Sequence, residues 1–229
     1  MYLTRMQLNA GSGTARREAL DCQALHRRLM SAIPRQHREP RAAAAMLFRM
    51  DRDRRTGAMW LYVQSQDALD WTQLPPHYLV EGSLDQKGLD GAYAAIRPGM
   101  VLAFRLRANP TRKIDTRSSP SGERRNGRRV PLRDEDAALQ WLARKGEQAG
   151  FAIVQATASV EDLRHGTRQE GSGNKASRRL TFASTLFQGY LRVTDADVFR
   201  GTLTAGIGTA KAYGFGLLSV APAPRAMAQ

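Results

Sequence analysis

Histidine is the side chain best suited to moving protons near neutral pH, and this chain has four, His26, His37, His77 and His165. His37 stands among Arg35, Arg38 and Arg41 in a solvated run, and His77 follows Pro75-Pro76 in a loop. His165 lies at the edge of a basic, glycine-rich stretch, where it meets either a polyanion or solvent. His26 differs. It follows Leu25 and precedes Met30 by one turn, at the edge of an apolar helical stripe, so its ring could face a cleft. On residue type and spacing alone, a structural histidine is the commoner outcome there. Cys22 shares that helix face at i, i+4 spacing and reads as a buried helix cysteine. Near the C-terminus, Gly206, Gly208, Gly214 and Gly216 surround Lys211, Tyr213 and Phe215. Without Cβ atoms such a loop can turn its N–H groups onto a phosphate, with Lys211 adding charge. A tight helix-to-strand turn without ligand explains the same glycines.

Metal chemistry finds little support. The chain has no Cys–Cys or His-x₃-His spacing, and Asp134-Glu135-Asp136 reads as the start of a helix. No complete P-loop and no Gly-x-Ser-x-Gly elbow occur. If the chain is catalytic, its chemistry is expected to need no metal or cofactor and to use a histidine. The 229 residues carry 35 Lys and Arg against 21 Asp and Glu, a net charge of +14. Such a surplus points to a polyanionic partner, with nucleic acid first. An acidic membrane surface is the weaker candidate, since there is no long amphipathic basic helix and no run of eighteen apolar residues. Met1–Asn9 alternates and lacks the apolar block of a signal peptide. A single cysteine rules out an intrachain disulfide and fits a reducing cytoplasm.

These residues need elements to hold them. The alternation in Met1–Leu8 predicts a strand with Tyr2, Met6 and Leu8 on the buried face. A helix capped by Thr14 is expected from Arg16 to Ala32, its stripe made by Cys22, Leu25, Leu29 and Ile33. Leu47–Asp51 and Trp60–Gln64 read as strands around a polar turn, Asp67–Trp71 as a short helix and Tyr78–Ser83 as a strand. That order, βαββαβ, is ferredoxin-like. After a boundary near Gly91–Gly99 it repeats: strand Met100–Ala108, helix Arg133–Gln148, strands Phe151–Ala158 and Leu180–Val193, helix Asp195–Leu203, and a closing strand through Leu217, Leu218 and Val220. Two basic insertions interrupt the repeat, Asn109–Arg129 and Gly166–Ser177. The expectation is an α+β chain of two tandem ferredoxin-like domains, residues 1–94 with His26 and 95–229 with the basic insertions and glycine loop.

Met1-Tyr2-Leu3, Leu25-His26, Phe104-Arg105-Leu106-Arg107-Ala108-Asn109-Pro110, Arg129-Val130-Pro131-Leu132, Phe187-Gln188-Gly189-Tyr190-Leu191 and the Gly206–Leu218 loop occur in this order. Over essentially the whole length the chain thereby resembles the CasE family, the CRISPR repeat-processing endoribonucleases of the type I-E Cascade complex. The resemblance implies RAMP-type ferredoxin-like domains and a CRISPR repeat RNA hairpin cut at the 3′ base of its stem. It also implies retention of the product with other Cascade subunits, and a monomer outside that complex. His26 aligns with the family's catalytic histidine. Some members place a tyrosine three residues earlier. Here the residue is Gln23, which can orient a phosphate oxygen but cannot act as a phenolic acid or base.

The expected reaction is attack by the RNA's own 2′-hydroxyl, leaving a 2′,3′-cyclic phosphate and a 5′-hydroxyl, with His26 as general base or general acid. Lys175 is the candidate cation for the phosphate, with Arg178 or Lys211 behind it. Expected RNA contacts are Arg105, Arg107, Lys113, Arg128, Arg129, Arg178, Arg179, Gly206, Gly208 and Lys211. Arg105 and Arg107 share one strand face, either a groove floor or solvent. The alternative is a non-catalytic RNA-binding or assembly subunit on the same fold.

Overall fold

A computed structural model describes residues 1–34, 46–114, 128–169 and 177–224. The first unit runs β1 (Tyr2–Leu8), α1 (Gly13–Leu20), α2 (Cys22–Met30), β2 (Leu47–Arg52), β3 (Met59–Ser65), β4 (Asp85–Gly88) and the short α3 (Asp90–Ala94). The second runs β5 (Val101–Ala108), a hairpin of β6 (Thr111–Ile114) and β7 (Arg128–Pro131), α4 (Glu135–Gln148), β8 (Phe151–Gln169), β9 (Ser177–Val193), α5 (Ala196–Ala205) and β10 (Leu218–Pro222). The first sheet has the order β2-β3-β1-β4 and the second β10-β5-β9-β8, with antiparallel pairing throughout. Counted within its own unit, each sheet reads fourth, first, third, second, which is the ferredoxin-like order. Each sheet buries one face beneath its helices. Met6, Leu25, Leu29 and Phe48 sit in the first core, and Phe104, Leu106, Leu142 and Phe187 in the second.

Several expected elements change for local reasons. The helix expected over Arg16–Ala32 is two helices, broken where Asp21 takes an extended backbone at φ −118° and ψ 102°. Its carboxylate accepts from the N–H groups of Gln23 and Ala24, both at 2.9 Å, so Asp21 caps the helix that carries His26. Ser12, rather than Thr14, caps α1. Between β3 and β4 there is a single 3-10 turn, Trp71–Gln73, in place of the expected Asp67–Trp71 helix. The strand expected at Tyr78–Ser83 is displaced to β4. Pro75-Pro76 and His77, at φ 58°, turn the chain so that Tyr78 drops into the core and donates to Glu18 at 2.8 Å. Tyr2, expected on the buried face with Met6 and Leu8, is 36% exposed. β8 and β9 run well past their expected ends, forming a long arm that returns to α2.

The units are joined by buried charge. Phe104, Leu106 and Ala108 of β5 point into the core, which turns Arg105 and Arg107 to the opposite face. That face is covered by β2. Arg107 is only 4% exposed; its Nη1 bonds Asp51 at 2.9 Å, and its Nε and Nη2 bond Glu161 at 2.7 Å each. Arg49 also bonds Asp51 through Nε and reaches Ser219 Oγ at 2.8 Å. Gln64 of the first sheet donates to the Leu203 carbonyl at 2.7 Å, a second buried link. Among the described residues no helix is long and apolar enough to cross a membrane.

Two outcomes follow from this junction. Asp51 accepts from Arg49, Arg105 and Arg107, so Asp51→Ala strands buried cations and should cost about 3–5 kcal/mol in urea unfolding. Burial pushes the Glu161 carboxyl up, but the bonds and charge of Arg107, with Ser184, outweigh it and hold the group below its usual 4.5. A depressed folded-state value means the contribution is complete above pH 4.5 and is lost as pH falls through that lower value. Glu161→Gln should flatten the melting temperature below pH 4.5 relative to the unsubstituted chain, as calorimetry would show.

Candidate functional site

The stripe of α2 buries Cys22, Leu25, His26 and Leu29 at spacings of three and four. His26 is 7% exposed. Its ring lies nearly parallel to Phe48 of β2, with centroids 6.4 Å apart at 14°. On another side it meets Tyr213, at 6.5 Å and 57°. Tyr213 ends the 3-10 turn Lys211–Tyr213 in the glycine loop. Phe182 of β9 stacks on the Tyr213 ring at 4.6 Å and 27°, fixing it from the far side. The opening helix and the terminal loop, distant in sequence, thus share one aromatic cluster.

The glycines are explained first by packing. Gly206 ends α5 at φ 73° and ψ 166°, a region that side chains avoid, and a Cβ there would lie 2.8 Å from both the Gly216 carbonyl and Leu47. Gly208 abuts Trp141, and Gly214 lets the loop close on Phe48 beside His26. The tight-turn reading accounts for these glycines. Among the described residues, the N–H groups of Gly208, Thr209 and Ala210 donate to no acceptor. Ala210 adopts a left-handed conformation at φ 61°, the kind of turn that lines up N–H groups for an anion. Lys211 extends back to cap α5, donating to the Ala205 carbonyl at 2.7 Å, and its partial burial lowers its basicity.

At the start of α2 the β8–β9 arm arrives. His165 bridges to Asp21, and the Thr167 N–H donates to the Asp21 carboxylate at 3.3 Å. Gly166 sits so close that a Cβ would come within 2.9 Å of the Cys22 sulfur and 3.3 Å of the Gln23 Cβ. Burial, aided by the Asp21 charge, pushes the Cys22 thiol up to about 11. It therefore stays protonated near neutrality and is no nucleophile. His165 Nδ1 lies 3.4 Å from Thr181 Oγ1.

The expected RNA contacts divide by place. Lys113 and Arg129 are exposed and directly opposed across the β6–β7 hairpin, with Arg128 in the next register position. Arg179 is exposed, opposite Thr167, and so lies on the arm where it meets α2; Arg178 follows, opposite Arg168. Lys175 and His37 lie outside the described residues. Arg107 does not fit its expected role, because its whole guanidinium is committed inside the junction. Arg105 is 43% exposed but is held by Gln188 and Asp51. Neither a groove floor nor open solvent describes their face. Asp21, Phe48, Phe182 and Tyr213 were not singled out by sequence pattern for this site. An aspartate just before the apolar stripe and a tyrosine inside a glycine loop were the available signals.

Two ferredoxin-like units that press a histidine helix against a glycine-rich loop, in a chain of net charge +14, define a class of RNA-handling protein. The chain belongs to the CRISPR associated protein family, whose model matches residues 1–222. It is 32% identical to the CRISPR-associated endoribonuclease Cse3 of Thermus thermophilus, over 97% of this chain and 100% of that protein. It is 30% identical to the Cascade subunit CasE of Escherichia coli K12, again over 97% and 100%. Among solved structures, Cse3 bound to a 19-nucleotide RNA superposes with a TM-score of 0.76 at 31% identity, covering 97% of this chain and 100% of that one. Thermus thermophilus Cse3 bound to an RNA representing a pre-cleavage complex gives 0.73 at 29% identity, covering 96% and 98%.

The loop geometry sets one expectation. Gly206→Ala must leave its present backbone conformation or push the Gly216 carbonyl away, and should cost about 1–3 kcal/mol in thermal or urea unfolding.

Proposed function

We propose that this protein is a CRISPR repeat endoribonuclease of the CasE type. It binds a repeat RNA hairpin, cuts precursor CRISPR RNA at the 3′ base of the stem without a metal, and keeps its product as a Cascade subunit. The observation that carries this reading is the meeting of His26 with the terminal loop at Tyr213. It sets a proton-transfer group beside a loop with N–H groups to offer an anion. The relatives named above are an endoribonuclease and a Cascade subunit, and Cse3 has been seen with RNA bound.

In the proposed reaction the 2′-oxygen upstream of the cut attacks phosphorus, and the bond to the 5′-oxygen breaks. A proton leaves the 2′-hydroxyl and one joins the departing 5′-oxygen, with His26 serving one of these transfers. The nucleophile belongs to the substrate, so no metal-activated water is required. Lys175 is the proposed phosphate cation, with Gln23, beside the arm, orienting an oxygen. Backbone binding falls to Lys113, Arg128, Arg129, Arg178 and Arg179, with Gly206, Gly208 and Lys211 presenting the loop; A-form RNA is read largely through such contacts. The proposed setting is the cytoplasm, in keeping with a lone cysteine held as a thiol.

The test is cleavage of the repeat hairpin in EDTA. His26→Ala should slow it by about 10²–10⁴-fold with hairpin affinity retained. A 2′-deoxy nucleotide before the cut should block reaction without weakening binding. Undiminished cleavage by the variant, or of the deoxy substrate, would overturn this mechanism.

A further inference from the structure

Transfer of phosphorus between two oxygens places charge on the non-bridging oxygens, and a donor aimed there accelerates the step. Gln23 cannot supply a phenol, yet one stands on the other side of His26. The Tyr213 ring lies 6.5 Å from the imidazole. Its orientation is held by Phe182, stacked at 4.6 Å, and by the left-handed residues Ala210 and Gly214 that flank its turn. The residue is partly exposed, and its hydroxyl bonds to none of the described residues. By contrast, the hydroxyls of Tyr78 and Tyr93 are engaged: Tyr78 donates to Glu18 and Tyr93 to Gln64, each at 2.8 Å. Tyr213 therefore has a rigid ring, an available donor and a place beside the proton-transfer group.

We propose that Tyr213 is a catalytic residue whose phenolic O–H donates a hydrogen bond to a non-bridging oxygen of the scissile phosphate. The phenol keeps its proton throughout. The bond strengthens as charge gathers on that oxygen, and it turns the 2′-oxygen and the leaving 5′-oxygen into line. This rests on the ribonuclease reading above. It assigns to the glycine loop a side-chain role in the chemistry, beyond its backbone contacts.

Tyr213→Phe keeps the ring and its stacking and deletes only the donor. Measured in single turnover on the repeat hairpin, the variant should cleave about 10²-fold more slowly while its affinity changes less than about twofold. A phosphorothioate at the scissile position supplies a readout that packing cannot imitate. Sulfur in place of the contacted oxygen should slow the unsubstituted chain, and the same diastereomer should show little further effect in Tyr213→Phe. Full cleavage by Tyr213→Phe, or an undiminished sulfur effect in it, would overturn the proposal. His26→Ala run in parallel separates the two claims. If it cleaves normally the ribonuclease mechanism itself fails; if it is slow while Tyr213→Phe is fast, only the tyrosine assignment fails. Melting temperatures within a few degrees of the unsubstituted chain confirm that each variant is folded.

Discussion

Arg107 carries a full positive charge in a place where water hardly reaches. Desolvating a guanidinium costs several kcal/mol, so it persists only if its partners are well placed and themselves held. Asp51 comes from the first sheet, and Glu161 from the arm of the second. Arg49, buried, and Arg164, half-buried, add two more cations. Arg49 pairs with Asp51, and carbonyl oxygens complete the contacts: those of Arg105 and Leu217 for Arg49, and that of Met50 for Arg164. Burial lowers the Arg164 value to about 10, with repulsion from Arg107 adding to it, and the group still remains charged near neutrality. The result is a junction whose excess positive charge is satisfied by backbone dipoles. Because those carbonyls belong to β2, β5 and the end of the glycine loop, the charges fix all three elements together.

The catalytic proposal depends on that fixation. Phe48 lies in β2, one residue before Arg49, and Leu217 follows the loop that carries Tyr213. The ionic junction and the aromatic cluster around His26 therefore share their supporting backbone. Electrostatics hold the frame, while ring packing sets the imidazole within it. A metal-free reaction of this kind gains much of its rate from alignment of the reacting oxygens, so a stiff frame is part of the chemistry.

Much of the frame was legible in residue pattern. Alternation in Met1–Leu8 and Val101–Ala108, and the stripe of Cys22, Leu25 and Leu29, translate directly into which face is buried. The duplicated order of elements followed from them. What covers the opposite face is a different matter. Parity put Arg105 and Arg107 on one side of β5, but only the packing of β2, from the other unit, decides that this side is a junction. The glycine loop showed its composition without its neighbours; Leu47, Phe48 and Trp141 impose the glycines, and none is close in sequence. Tyr213 was given no role because aromatics in a loop have no periodicity to show which way they face. The polar run after Gly166 read as a loop because its residues are poor strand formers, yet the strand persists where α2 supports it. The break at Asp21 was not legible, because the expected helix ran through it and one of its partners, the Thr167 N–H, arrives from the arm.

The pairing of α2 with the far loop has a bearing on how the molecule is made. The histidine helix leaves the ribosome well before the residues that face it, Phe182 and Tyr213. Until the glycine loop is made, the nascent protein holds its imidazole without the tyrosine ring, the stacked phenylalanine or the turn that accompanies them. A fragment released before that point would carry the histidine helix without the aromatic cluster that encloses it.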